Sequence, residues 1–257
     1  MCTFPWSFDQ ELALWSSLGL HYAGLFGRKL HDPAEALERL TAAGIRASTY
    51  ISASFDLSAP HTWDATRATQ RTALDLMARH EGGSIYFTPG RTTGASWNED
   101  LDRLADAVAP TVDYARKVGV PAAIEPSLRT SVSFVNTFRD AIDVAERTGL
   151  SLVADFGNMW MERDFREVLA RARPHIALVQ ICDVVIGSLE RPSPGGRTHV
   201  GEGELPLRRM MQDVLDAGYN GVFDLEVVGA DFTSGAGAAD LSRGVAAASA
   251  LLADLGI

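Results

Sequence analysis

The sequence predicts an α/β chain folded as one (β/α)₈ barrel over residues 1–257, and three observations predict it. Short β-branched or aromatic runs alternate with Ala/Leu/Arg-rich segments of helical spacing, the pattern of parallel βαβ units. Eight such pairs fit within 257 residues, the size of a (β/α)₈ barrel. An open doubly wound sheet usually shows a glycine-rich phosphate loop after its first strand, and PWSFDQE is not one.

In order, the strand candidates are Thr3–Ser7, His21–Phe26, Ile45–Ser52, Ser84–Thr88, Val120–Glu125, Ser151–Asp155, Ile176–Ile181 and Val222–Val227. The helical segments are Gln10–Leu18, Pro33–Ala43, Thr62–His80, Asn98–Val118, Val132–Thr148, Arg163–Arg173, Leu207–Ala217 and Ala239–Leu252. Punctuation supports the boundaries. AAGI, KVGVP, RTGL and DAGYNG each put Gly after a helix and before a strand, where a left-handed stop belongs. HDPAE offers Asp32 as an N-cap with Pro33 at the first helical position. The longest irregular segment is Asp183–Pro206, and loops of that length are usually functional or mobile.

With 46% hydrophobic residues the chain can build a full core. A net charge of -10 repels phosphate backbones and speaks against a general nucleic-acid binder. A local Arg cluster could still hold a small anion. Lys29 and Lys117 are the only lysines, which removes most candidates for Schiff-base chemistry. Cys2 and Cys182 stand far apart, so a disulfide scaffold or zinc knuckle is excluded. The start MCTFPWSFDQ lacks the features of a signal peptide, and no apolar run is long enough to cross a bilayer. The expectation is a soluble cytoplasmic protein with no membrane partner.

In such a barrel the active-site groups come from the C-terminal ends of strands. The fifth candidate ends AAIEP with Glu125, and the sixth ends LVADFGN with Asp155. The seventh carries Gln180 in LVQICD, and the eighth ends VFDLEVV with Glu226. Taken singly, each is an ordinary strand-end residue that caps a helix or meets water. Taken together they bring three carboxylates into one mouth, with no lysine in these strands to neutralise them. A divalent cation is the simplest counter-charge. Three carboxylates and an amide oxygen suit Mn²⁺ first, with Mg²⁺ or Co²⁺ as alternatives.

On these residues the chain resembles the xylose-isomerase-like TIM-barrel sugar isomerase/epimerase family, closest to its hydroxypyruvate-isomerase-like branch. The resemblance rests on Glu125 in IEP, Asp155 in ADFGN, Gln180 with Asp183 in VQICD, GEGEL at Gly201–Leu205 and Glu226 in LEV. It implies that Glu125, Asp155, Gln180 and Glu226 hold one metal ion, and that Glu125 and Glu226 are the acid/base pair. It further implies proton abstraction beside a metal-chelated carbonyl, through an enediolate. Many relatives have His where Asn158 stands, and Asn cannot titrate near neutral pH; it could still bind a substrate hydroxyl. Relatives often carry a substrate-contacting Arg before the GEG turn, a role open here to Arg191 or Arg197.

His199 could contact substrate or supply a titratable group. Asp183 reads as a residue behind the ligands and not as a ligand. Trp160, Trp6 and Phe4 could wall the pocket or serve as barrel packing. The expected activity is isomerisation or epimerisation of a small keto-sugar or hydroxy-keto acid. The alternatives are a lyase on the same scaffold (a dehydratase or a cleaver of oxidised glycosides) and a non-catalytic partner subunit. A homo-oligomer or hetero-complex is compatible with the sequence.

Overall fold

The structure, a computed structural model, describes residues 3, 5–186, 196–227 and 237–257. Its strands are β1 (Tyr22–Phe26), β2 (Arg46–Ile51), β3 (Ser84–Phe87), β4 (Ala122–Ile124), β5 (Ser151–Asp155), β6 (Ile176–Ile181), β7 (Asp183–Val185), β8 (Gly196–Thr198) and β9 (Phe223–Leu225). Its α-helices are α1 (Phe8–Ser17), α2 (Pro33–Ala42), α3 (Trp63–Arg79), α4 (Trp97–Val118), α5 (Phe138–Thr148), α6 (Phe156–Met159), α7 (Phe165–Ala172), α8 (Leu207–Asp216) and α9 (Gly237–Asp254).

Seven strands form one parallel sheet in the order β1-β2-β3-β4-β5-β6-β9, wrapped by helices as a nearly closed (β/α)₈-type barrel. At the seam between β9 and β1, Asp224 of β9 lies against Gly24 of β1 and reaches Ser48 of β2. Ser48 Oγ donates to Asp224 Oδ1 at 2.8 Å, and a Cβ on Gly24 would stand 2.8 Å from Asp224 Oδ2. Burial pushes the Asp224 carboxyl up to about 6.

The expected first strand, Thr3–Ser7, is absent among the described residues. Pro5 has no N–H to give a ladder, and Trp6 N–H closes a turn on Thr3 O at 2.9 Å. Ser7 instead opens α1 through a capping box with Gln10. Among the described strands, the acidic and amide residues therefore stand at the ends of the fourth, fifth, sixth and seventh of the barrel sheet. Two other expectations change. The helix expected from Val132 begins at Phe138, where Thr137 caps it. The segment read as irregular contains the antiparallel pair β7–β8, with Val184 opposite Arg197.

The caps behave as their residues dictate. Asp32 accepts from Ala34 N and Glu35 N at the start of α2. Ser96 and Glu99 form a capping box on α4. Helices α4 and α5 end at Gly119 and Gly149, both left-handed.

Inside the barrel Tyr86, Ala123, Val153 and Leu178 pack as one buried apolar layer. Side chains alternate along a strand, so two residues further on Glu125, Asp155 and Gln180 lie on the same inward face. A larger core fills the space between strands and helices. Among the described residues no helix is long and apolar enough to cross a membrane.

Candidate active site

The apolar layer is the floor of a polar one. Glu125, Asp155, Gln180 and Glu226 are each at most 5% exposed. Backbone pairing fixes their depth: Glu125 N donates to Phe87 O at 3.0 Å and Glu226 N to Ile181 O at 2.9 Å. Asp155 stands opposite Gln180 in the β5–β6 register.

Two donors reach in among these acceptors. Asn158 Nδ2 donates to Glu125 Oε1 at 2.8 Å and to Asp155 Oδ2 at 2.7 Å, linking the two carboxylates. The Arg197 guanidinium donates through Nη2 to Asp155 Oδ2, and its Nη1 lies 4.0 Å from Glu226 Oε1. One guanidinium thus lies between two carboxylates. Burial, with the charges of Glu226 and Asp155 beside it, holds the Glu125 carboxyl well above the usual range, against the pull of Arg197.

Gln180 is held from below. Its Nε2 donates to Glu226 Oε2 and to Tyr86 Oη, the latter at 3.3 Å. Tyr86 Oη in turn donates to Glu226 Oε2 at 3.4 Å. Burial, and then the nearby carboxylates, push the Tyr86 phenol well up, so it keeps its proton. Gln180 Oε1 is buried and has no hydrogen-bond partner among the described residues.

The β7–β8 hairpin delivers Arg197. Buried Asp183 ties it down by accepting from Val184 N at 2.9 Å, Gly201 N at 3.1 Å and Leu205 N at 3.0 Å. Gly157 provides the seat: a Cβ there would stand 2.8 Å from Arg197 Cζ and 2.9 Å from Cys182 Sγ. Burial raises the Cys182 thiol far above its ordinary range, leaving an inert wall.

Residues 12–251 match the family described as Xylose isomerase-like TIM barrel. The chain belongs to this family. Solved structures agree on the fold. A protein of Sinorhizobium meliloti 1021 is 21% identical with a TM-score of 0.83, over 94% of this chain and 92% of that one. IolI, solved with a bound zinc atom, is 18% identical with a TM-score of 0.81, over 98% and 94%. The 3-keto-D-glucoside 4-epimerase YcjR of E. coli is 17% identical with a TM-score of 0.74, over 94% of each chain. Among curated proteins, none matches this chain in sequence.

This xylose-isomerase-like barrel brings together Glu125, Asp155, Gln180, Glu226, Asn158 and Arg197, and it places Asp183 behind them. Other expected residues lie elsewhere. His199 is buried with its ring against α9, so a Cβ on Gly244 would collide with it. Burial lowers its pKa and favours the neutral ring. Trp160 caps α6 half-buried and packs on the outer core, its Nε1 without a partner among the described residues. Trp6 lies against Gly237 at the start of α9. Arg191 and Phe4 fall outside the described residues. Tyr86 belongs to the site although its sequence context, SIYF, reads only as a buried strand.

The donor set fits a divalent cation in chemistry. It offers hard oxygens, three carboxyl groups against one guanidinium, and one buried amide oxygen still lacking a partner. Among the described residues the carboxylates do not stand as a ready cage of three or more ligands, because Arg197 and Asn158 occupy the gaps between them. The residues that would hold the ion are Glu125, Asp155, Gln180 and Glu226.

Proposed function

We propose that the protein is a divalent-metal-dependent isomerase or epimerase of a small keto-sugar or hydroxy-keto acid. The observation that carries this reading is the unpartnered, buried Gln180 Oε1 beside three carboxylates at the strand ends of a xylose-isomerase-like barrel. IolI binds zinc and YcjR is an epimerase on this fold, which lends the reading support by analogy. Mn²⁺ is the preferred ion, with Mg²⁺ or Co²⁺ as alternatives.

When bound, such an ion chelated by a carbonyl and a neighbouring hydroxyl supplies Lewis-acid stabilisation of the negative charge that builds as the C–H between them loses its proton. The protein supplies the rest. Glu125 and Glu226 approach from β4 and β9, on different sides of the barrel mouth, and exchange the substrate proton. Asn158 holds Glu125 and Asp155 in place, and it takes no part in proton relay because an amide does not titrate. Arg197, already placed between Asp155 and Glu226, donates to a substrate oxygen. The buried floor of Tyr86, Ala123, Val153 and Leu178 keeps water from below.

The test combines metal analysis with proton exchange. Purified protein should carry about one Mn, Mg or Co per chain, as one mononuclear site requires. With a panel of keto-sugars and keto-acids in D₂O, NMR should show deuterium entering beside the carbonyl of the substrate or product, with no change in mass beyond the label. Release of water or an aglycone would make the protein a lyase. A stoichiometric ion without exchange or turnover across the panel would leave a binding subunit.

A further inference from the structure

Tyr86 stands in the layer beneath the carboxylates. Its ring packs with Ala123, Val153 and Leu178 and is 1% exposed, and only its hydroxyl reaches the polar layer. We infer that this hydroxyl orients the Gln180 amide, turning Oε1 toward the cation position, and that Tyr86 thereby helps to set cation affinity. The inference rests on the metal-dependent reading above.

The geometry follows from counting donors. A primary amide has two N–H groups and one oxygen. Gln180 Nε2 gives one N–H to Glu226 Oε2 and the other to Tyr86 Oη at 3.3 Å. Tyr86 Oη spends its own proton on Glu226 Oε2, at 3.4 Å, so only its lone pairs face the amide. Turned over, the amide would set its oxygen against the Glu226 carboxylate, and Tyr86 could donate to that oxygen only by giving up its own bond to Glu226. The flip is therefore decided by Glu226 and Tyr86 together, and Oε1 is left pointing away from both, buried and unpartnered. The terminal torsion of Gln is otherwise broad and roughly two-fold. With one anchor removed, the amide keeps its bond to Glu226 and loses the second constraint on its plane.

Tyr86 is thus a positioning residue. Partners behind a metal ligand typically change affinity by about 10–100-fold when removed. The experiment uses full-length protein stripped of metal, with Mn²⁺ affinity read by calorimetry for wild type, Tyr86→Phe, Gln180→Ala and the double variant. Tyr86→Phe keeps the ring and deletes one oxygen. It should weaken Mn²⁺ binding about 10–100-fold. The double variant should bind no more than about twofold weaker than Gln180→Ala, because the hydroxyl acts through the amide. Unchanged affinity in Tyr86→Phe, or losses that simply add in the double variant, would overturn the inference. A wild type that takes up no Mn²⁺ would overturn the metal reading itself, a distinct result.

A second measurement needs no variant. In wild type with labelled glutamine side chains, the Gln180 NH₂ protons should be protected from exchange, and Mg²⁺ should shift the Gln180 carboxamide carbon while that protection persists. NH₂ protons exchanging as fast as those of the exposed Gln10 would overturn the inference even if Tyr86→Phe did not fold.

Discussion

The two halves of the barrel share one backbone plan and carry opposite loads. Strands β1 to β3 end in Phe26, Ile51 and Phe87, and the chain beyond them packs by volume and hydroxyl contacts. Phe55 and Phe87 meet edge to face at 5.9 Å, and Ser54 Oγ lies 2.9 Å from Thr88 Oγ1. Strands β4, β5, β6 and β9 lead to Glu125, Asp155, Gln180 and Glu226, where buried carboxyl groups gather around Arg197. In one half a missing methylene leaves a void. In the other a missing guanidinium leaves buried charge. Tyr86 carries the first half into the carboxylate cluster, through its hydroxyl contacts with Gln180 and Glu226.

The contrast can be tested, and the largest effect belongs to the charged half. Glu226→Gln should lower proton exchange into substrate by about 10²–10⁴-fold, as removal of a general acid or base does. A fully active variant would end the two-glutamate mechanism. Arg197→Met, which deletes the counter-charge and keeps much of the volume, should cost metal-free protein about 3–5 kcal/mol in urea unfolding at neutral pH. Saturating Mn²⁺ should recover part of that loss by binding the folded state. No loss would mean that charge balance does not govern this half. In the apolar half, Leu74→Ala on α3, at a fully buried position, should cost about 2–5 kcal/mol. Its Mn²⁺ affinity should stay within about twofold of wild type if the halves are independent. The smallest effect is Ser96→Ala, which removes the N-cap of α4 and should cost about 1 kcal/mol with site properties intact.

Much of this architecture is written in local pattern. The runs from Tyr22 to Leu225 that became barrel strands are short, apolar and bounded by caps such as Asp32, Gly119 and Gly149. The acidic set was legible because each inward polar residue on β4 to β6 follows an inward apolar one by two positions, as in Val153 and Asp155. What failed was context. Thr3–Ser7 has the composition of a strand, yet Pro5 and the commitment of Ser7 to a helix cap decide otherwise. The β7–β8 pair is too short to show a period, so the sequence left Arg191 and Arg197 equivalent, and hairpin register puts Arg197 in the site. Tyr86 carries no local sign of its role: its hydroxyl partners Gln180 and Glu226 lie 94 and 140 residues away.

The hairpin that delivers Arg197 has one more consequence. Successive side chains on a strand point to opposite faces, so the parity of β8 decides whether a guanidinium or the hydroxyl of Thr198 meets Asp155. Asp183 locks that parity by gripping Val184 N at the start of the hairpin and Gly201 N just past its end. The segment therefore has a phase as well as a composition. Exchanging one residue for another between Thr198 and Gly201 leaves the phase alone. Inserting or deleting a single residue there would put the Asp183 anchor at Gly201 out of step with the β7–β8 ladder and should move Arg197 relative to Asp155.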